Sequence, residues 1–285
     1  MKFWHPLMFD PMEDLSELAQ SMEEAGFEGA ALADHVAVPF GFKSIHPSGE
    51  SPFNPETSFP DTFTTIAALA MVTQRLRFMS YVYIVPLRDP FTVAKQVATA
   101  ATLSQDRVVL GAGAGWLAEE FSVLGQSFSD RGSRFDEQLA IIEDFWQDGR
   151  AQSSGRHYSF EEAGMFPPPT APIPIWIGGK SGAALRRAAR HDGWLGMNYP
   201  LEEITELLPR LWARRDEVSK PEEPFEVFVI ANAEPSLDLY RRLEDMGVTS
   251  TMGMGWYPGD PSATSLEAKR AGLSRFSEQF IDPLR

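Results

Sequence analysis

The sequence predicts an α/β protein built as a single (β/α)8 TIM barrel. Three observations lead there. β-like runs alternate with helical runs along the whole chain, which implies a parallel sheet. The alternation repeats eight times within 285 residues, a length and unit count that fit a closed barrel better than an open doubly wound sheet. No composition break marks a second domain, so residues 1–285 read as one.

The first strand spans 2–9, aromatic and apolar, and ends at Asp10-Pro11. Helix 14–26 puts Leu15, Leu18, Ala19 and Met22 on one face and stops at Gly26. The strand over 30–36 leads into a long segment, 37–60, rich in Pro, Gly and Ser. Helix 61–74 is capped by Asp61, strand 76–85 follows, and helix 89–103 carries Pro90 in its favoured first turn. Strand 107–111 precedes an insertion, and helix 131–146 is ended by Gly149. A small hairpin over 156–166, within an insertion near 153–169, leads into Pro167-Pro168-Pro169. Strand 173–178, helix 182–191, strand 193–196, helix 201–219, strand 225–231, helix 236–246, strand 248–254 and helix 266–280 complete the eight units.

Composition narrows the function. Lys and Arg number 25 against 40 Asp and Glu, a net charge of −15, which repels nucleic acid and anionic membranes. There is no cysteine, so disulfides, thiolate catalysis and Cys-based zinc sites are excluded. The five histidines form no helical i,i+4 pair, so metal binding has little support. No run approaches the roughly 18 apolar residues that span a bilayer, and the apolar stretch of the N-terminus is too short for a signal peptide. The expectation is a soluble, cytoplasmic protein acting on a small molecule.

Barrel enzymes work at the C-terminal ends of their strands. That filter selects His5, Met8, Phe9 and Asp10 after strand 1, Asp34 and His35 after strand 2, and Ser80, Tyr81 and Tyr83 after strand 3. After strand 4 comes Gly111-Ala112-Gly113-Ala114-Gly115-Trp116, and after strand 5 Gly178-Gly179-Lys180-Ser181-Gly182. Met197, Asn198 and Tyr199 follow strand 6, and Met252, Met254, Trp256 and Tyr257 follow strand 8.

The Gly178–Gly182 turn is the most chemical of these. Its glycines let backbone amides approach an anion, Ser181 can cap the helix or donate to phosphate, and the helix N-terminus is partly positive. Lys180 adds a full charge, and Arg186, Arg187 and Arg190 follow; the bland alternative is an ordinary turn with a solvated basic helix. Gly111–Gly115 is not the dinucleotide fingerprint, but a second glycine-rich turn on a neighbouring strand suggests a backbone-lined slot for a flat ligand. His35 is a candidate general acid or base, with a structural histidine as the alternative. Asp34 with Glu119 or Glu120 would be the carboxylates of a barrel hydrolase; the alternative for the two glutamates is a helix first turn favoured by the dipole. The segment 37–60 reads as a lid over the strand end that carries Asp34 and His35.

Ala33-Asp34-His35, the run Pro86-Leu87-Arg88-Asp89-Pro90 with Val93-Ala94-Lys95-Gln96, and Leu110–Trp116 with Glu119-Glu120-Phe121 occur in order. Arg131-Gly132-Ser133-Arg134-Phe135-Asp136-Glu137, Pro174–Gly179 and Asp192-Gly193-Trp194 continue the series. Together they resemble the bacterial luciferase-like monooxygenase family, closest to its coenzyme F420-dependent oxidoreductases. The resemblance covers most of residues 1–200.

It implies a (β/α)8 barrel with an insertion hairpin, a flavin or deazaflavin across the mouth, and a non-proline cis peptide after strand 3, mapping to about Ser80–Tyr81, behind the ring. It implies that Asp34 and His35 lie near the ring, with His35 catalytic. Ser80 and Tyr81 would back the ring, while Gly113, Ala114, Gly115, Trp116, Gly178, Gly179, Lys180 and Ser181 would hold the cofactor. The implied activity is hydride transfer between F420 and an unknown small organic substrate. FMN-dependent monooxygenation and a non-catalytic flavin-binding protein are the alternatives. A homodimer is also implied. Some sugar-phosphate dehydrogenases of this branch carry a Glu just after the strand 4 glycines; this chain has Trp116, so their substrate class does not transfer.

Overall fold

The computed structural model describes residues 1–49, 51–218, 223–257 and 260–285. The strands are β1 (Lys2–Pro6), β2 (Gly29–Leu32), β3 (Arg77–Ser80), β4 (Tyr83–Ile84), β5 (Val108–Gly113), β6 (Arg150–Ser154), β7 (Ser159–Gly164), β8 (Ile175–Gly178), β9 (Gly193–Tyr199), β10 (Glu226–Ala231) and β11 (Ser250–Met252). The helices are α1 (Leu15–Glu24), α2 (Thr62–Ala70), α3 (Pro90–Leu103), α4 (Ala118–Val123), α5 (Arg131–Asp148), α6 (Gly182–Arg190), α7 (Leu201–Glu217), α8 (Leu237–Asp245) and α9 (Leu266–Phe276).

The parallel order β3-β2-β1-β11-β10-β9-β8-β5 closes on itself through β3 and β5, which pair at Phe78–Val108 and Met79–Val109. This is a closed eight-stranded parallel barrel, as the alternation predicts. β6 and β7 form a separate antiparallel hairpin.

Alternation along each strand sorts side chains into two cores. Inward, Trp4, Ala31, Met79, Val109, Trp176, Leu195, Phe228 and Met252 make a plug, one from each barrel strand. Trp4 and Trp176 meet edge to face at 5.6 Å. Outward, Phe3, Phe78, Leu110, Ile177, Trp194 and Val227 pack beneath the helices. Burial at this scale contributes on the order of 25 cal/mol per Å2 of apolar surface. Helix starts follow the local chemistry. Asp61, Asp89, Ser181, Ser236 and Ser265 each accept an amide hydrogen of the first turn, and Gly149 ends α5 in the left-handed region at φ 67°.

The differences from the predicted elements cluster at the mouth. The strand expected over 76–85 is two pieces, β3 and β4, separated by a non-proline cis peptide at Tyr81–Val82, one residue beyond the expected place. The strand expected over 107–111 runs on to Gly113, so Gly113 is strand and not turn. Gly111 is held there by contact: a Cβ would sit 1.9 Å from the Ser80 carbonyl oxygen, so only glycine lets β5 approach β3 this closely. The hairpin begins at Arg150, directly after α5, earlier than the expected 156–166, because Gly149 reverses the chain at once. The expected helix end at Ser219 lies outside the described residues. The last helix stops being α at Phe276 and continues as a π turn, Ser277–Ile281. Among the described residues no helix is long and apolar enough to cross a membrane.

His5, a candidate by position, is fully buried in the structure. Its Nδ1 faces the Pro6 carbonyl oxygen at 2.8 Å, its Nε2 accepts from the Gly255 amide at 3.1 Å, and its ring lies 4.2 Å from Trp256. Burial pushes its pKa down to about 3. Unfolded chains take up a proton near pH 6.5 that folded His5 refuses, so its contribution to stability is complete above that pH and declines as pH falls toward 3. Between pH 7 and pH 5 the wild type should lose about 2 kcal/mol more unfolding free energy than His5→Asn, read from urea denaturation at the two pH values.

Candidate active site

The floor of the mouth is apolar. Tyr81, Val82, Ile230 and Met254 lie half-buried on top of the barrel plug. Val82 is wedged between the two glycine-rich strand ends. A Cβ on Gly113 would stand 2.8 Å from one of its methyls, and a Cβ on Gly178 would stand 2.9 Å from the other. The two glycine turns therefore meet across Val82 at one end of the barrel. Tyr81 extends the floor: its hydroxyl donates to the Gly196 carbonyl at 2.9 Å, its ring meets Phe228 edge-on at 5.3 Å, and burial raises its pKa, so the phenol stays protonated.

His35 stands at the wall. Its Nδ1 lies 2.7 Å from Glu120 Oε2, and the two side chains are 6% and 0% exposed. The other Glu120 oxygen accepts the Val36 and Ala37 amides at 2.7 and 3.1 Å. The next residue down α4, Glu119, grips the same loop. It accepts the Lys43 and Ser44 amides at 2.8 and 3.2 Å and the Ser44 hydroxyl at 2.6 Å. The Ser44 hydroxyl and the Lys43 amide pull its carboxyl down to about 2.

Loop 37–60, expected as a lid, is thus tied to α4 and lays aromatic rings around His35. Phe53 is 4.7 Å and Phe59 5.0 Å from the imidazole, and Trp116 is 6.0 Å away. His46, 5.0 Å from Trp116, has its pKa lowered to about 4, by burial first and then by His35.

Several predicted site residues have prior commitments. Asp34 is buried, with Arg88 bound to both oxygens at 2.7 and 2.9 Å and the Ile84 amide at 2.9 Å. Arg88 also lies over the Tyr83 ring at 4.1 Å. With Asp34 bound to Arg88 and both glutamates bound to the loop, a hydrolase pair of Asp34 with Glu119 or Glu120 has no free carboxylate. Ser80 is fully buried and donates to the Gly111 carbonyl at 2.9 Å. Ser181 caps α6 by accepting the Ala184 amide at 3.1 Å. Ala114 is half-buried against the outer core, the Gly115 carbonyl accepts from Arg131 at 3.0 Å, and the Gly179 carbonyl accepts from Trp194 at 2.8 Å. Met252 belongs to the plug, Trp256 is buried, and Tyr257 is 57% exposed.

The basic cluster is largely neutralised within the protein. Arg187 is buried against Phe135 and bonded to Asp136 at 2.8 Å, and Arg190 reaches the same carboxylate at 3.6 Å. Lys180 pairs with Glu203 and lies 4.9 Å over Tyr199, but its side chain is 45% exposed. An exposed pair of this kind is worth about 0–1 kcal/mol, so an anion can recruit Lys180.

Four features escaped the sequence reading: Val82 as the wedge, Arg88 as the partner of Asp34, Glu120 as the partner of His35, and the loop aromatics. Arg88 and the Glu119-Glu120 pair stood inside motifs already singled out. The phenylalanines of 37–60 were a signal in an otherwise Pro- and Gly-rich loop.

These features sit where a (β/α)8 barrel enzyme carries its site, at the strand ends, and the comparisons name the family. The chain belongs to the luciferase-like monooxygenase family, whose model matches residues 5–236. The named enzymes of this family that it resembles are oxidoreductases and monooxygenases. It is 37% identical over 270 residues to the uncharacterized protein Rv0940c of Mycobacterium tuberculosis, covering 93% of each chain. It is 31% identical over 219 residues to an F420-dependent glucose-6-phosphate dehydrogenase of Nakamurella multipartita, covering 74% of this chain and 59% of that one. An F420-dependent secondary alcohol dehydrogenase solved with an F420–acetone adduct shares the fold, with a TM-score of 0.78 at 14% identity over 99% of each chain.

Breaking the Asp34–Arg88 pair leaves a guanidinium that is only 16% exposed without its counter-charge. Asp34→Asn should cost about 3–5 kcal/mol of unfolding free energy in chemical denaturation.

Proposed function

We propose that this protein is an oxidoreductase that transfers hydride between coenzyme F420 and a small organic substrate. The observation that carries the reading is the mouth itself: Val82 wedged between Gly113 and Gly178, with His35 on the adjoining wall. These residues fit a planar ring system. The half-buried apolar floor of Tyr81, Val82, Ile230 and Met254 offers a surface for a ring, and the glycine strand ends leave the room in which Val82 sits at the centre of that surface. Gly113, Gly178 and Gly179 would hold the cofactor by backbone, and Lys180 would meet its anionic tail.

A bound deazaflavin gives or takes a hydride at its central ring and reacts poorly with oxygen, whereas FMN would also allow monooxygenation. The chain's own contribution is orientation, exclusion of water by the docked loop, and a proton held at His35. Nδ1 faces Glu120, and among the described residues Nε2 has no hydrogen-bond partner, which leaves it available to a substrate oxygen. With an alcohol as substrate, the hydride would pass from carbon to the bound deazaflavin, and His35 Nε2 would take the hydroxyl proton.

Two considerations support F420 over FMN: the 31% identical relative carries an F420-dependent name, and the polyanionic F420 tail makes use of a recruitable Lys180. The sugar-phosphate substrate of that relative is not carried over, because Trp116 follows the glycines of β5. The second reading, an FMN-dependent monooxygenase, is favoured by the description of the matched family.

Separate fluorescence titrations with the two cofactors decide between them. F420 should bind more tightly, and Lys180→Ala should weaken F420 about 3–10-fold while changing FMN affinity less. A tenfold preference for FMN would overturn the first reading.

His35→Ala should bind cofactor normally and lose about 100-fold or more in turnover, measured by single-turnover absorbance of the cofactor. Unchanged turnover would remove His35 from the chemistry, and bound cofactor without any turnover would favour a non-catalytic flavin-binding protein.

A further inference from the structure

We propose that Glu120 is the positioning residue of the reaction: it fixes the proton of His35 on Nδ1 and so presents Nε2 to the mouth. This rests on the reading of His35 as the proton-handling group. The argument is a count of donors. Glu120 is fully buried and takes three hydrogen bonds, two from the Val36 and Ala37 amides on Oε1 and one from His35 on Oε2. Backbone amides can only donate, so Oε1 must accept. A carboxylate offers a second acceptor to the ring, and Nδ1 must then be the donor. In the neutral ring that leaves Nε2 as the acceptor; in the imidazolium Nε2 carries the second proton. Either way the exchangeable position is Nε2.

The same donor count makes Glu120 different from its neighbour. In Glu119 the oxygen opposite the amides meets the Ser44 hydroxyl, which can donate or accept. Replacing Glu119 by Gln keeps a hydrogen bond at this oxygen's place, because the Ser44 hydroxyl oxygen, which already accepts the Ala118 amide at 3.2 Å, has a second lone pair for the new NH2 and its own hydrogen turns away. Replacing Glu120 by Gln has no such remedy. The two amides claim the single carbonyl oxygen, the NH2 faces His35, and Nδ1 must become an acceptor. The ring then moves its proton to Nε2, and the neutral base at the mouth is lost. The Glu120 carboxylate also holds Val36 and Ala37, the residues at the entrance of loop 37–60, so the group that orients His35 also anchors the start of the loop.

The tautomer is read directly by two-bond 15N–1H NMR on the 285-residue chain, which has only five histidines. The wild type should show His35 protonated on Nδ1. Glu120→Gln should show it protonated on Nε2 alone, and Glu119→Gln should match the wild type. With F420 or FMN supplied, Glu120→Gln should lower kcat about 100-fold with KM and cofactor affinity within twofold of wild type.

A wild-type His35 protonated only on Nε2 overturns the proposal, and this measurement stands even where Glu120→Gln does not fold. A Glu120→Gln protein that keeps the Nδ1 proton overturns it too. So does a Glu119→Gln protein that loses it, since the effect would then be loosening of the loop. The spectra need no cofactor, so a failure to bind F420 and FMN would remove the functional reading and leave the positioning result intact.

Discussion

The structure depends on one close approach, that of β5 to the end of β3. Gly111 brings its backbone to where a Cβ would be 1.9 Å from the Ser80 carbonyl oxygen, and the Ser80 hydroxyl returns a hydrogen bond to the Gly111 carbonyl. With β3 clamped there, the chain turns at Tyr81–Val82 and resumes as β4, paired with Ala112 and Gly113 of the same β5. The consequence is Val82 at the centre of the mouth, between Gly113 and Gly178, with Tyr81 beside it on the plug. Packing on this scale is close to jigsaw fitting, so a methyl group on Gly113 or Gly178 would have to displace Val82, and one on Gly111 the Ser80 backbone.

The second level of organisation is electrostatic. A protein with net charge −15 places two acidic residues in the first turn of a short helix and uses both to hold a loop. Each carboxylate takes backbone amides that would otherwise lack a partner at the loop's turns, and hydrogen bonds of this charged kind are about twice as strong as neutral ones. The buried Asp34–Arg88 pair sets the adjoining wall, since it joins the end of β2 to the Ile84 amide of β4. Acid and base groups in this mouth are therefore mostly structural, while His35 keeps Nε2 without a hydrogen-bond partner among the described residues.

The barrel was legible in the sequence because strand and helix periodicities differ and the inward and outward strand positions are mostly apolar. The strand-end filter then brought His35, Tyr81, Gly113 and Gly178 to one rim. What periodicity does not carry is which atom each side chain spends. Asp34 and Ser80 were expected against the cofactor, yet their polar atoms bond Arg88, Ile84 and Gly111, partners 31 to 54 residues away in the chain. The Arg187 and Arg190 charges looked free because Asp136, which neutralises them, lies on another helix. The cis peptide at Tyr81–Val82 followed from the family resemblance to within one residue, whereas the split of the third strand around it was signalled by no local propensity.

A crystal structure of the protein with F420 bound tests the central claim most directly. The account predicts the ring system resting on Tyr81 and Val82, with Gly113 and Gly178 along its edge and its tail toward Lys180. Electron density for the ring elsewhere on the barrel, with Val82 uncovered, would contradict it.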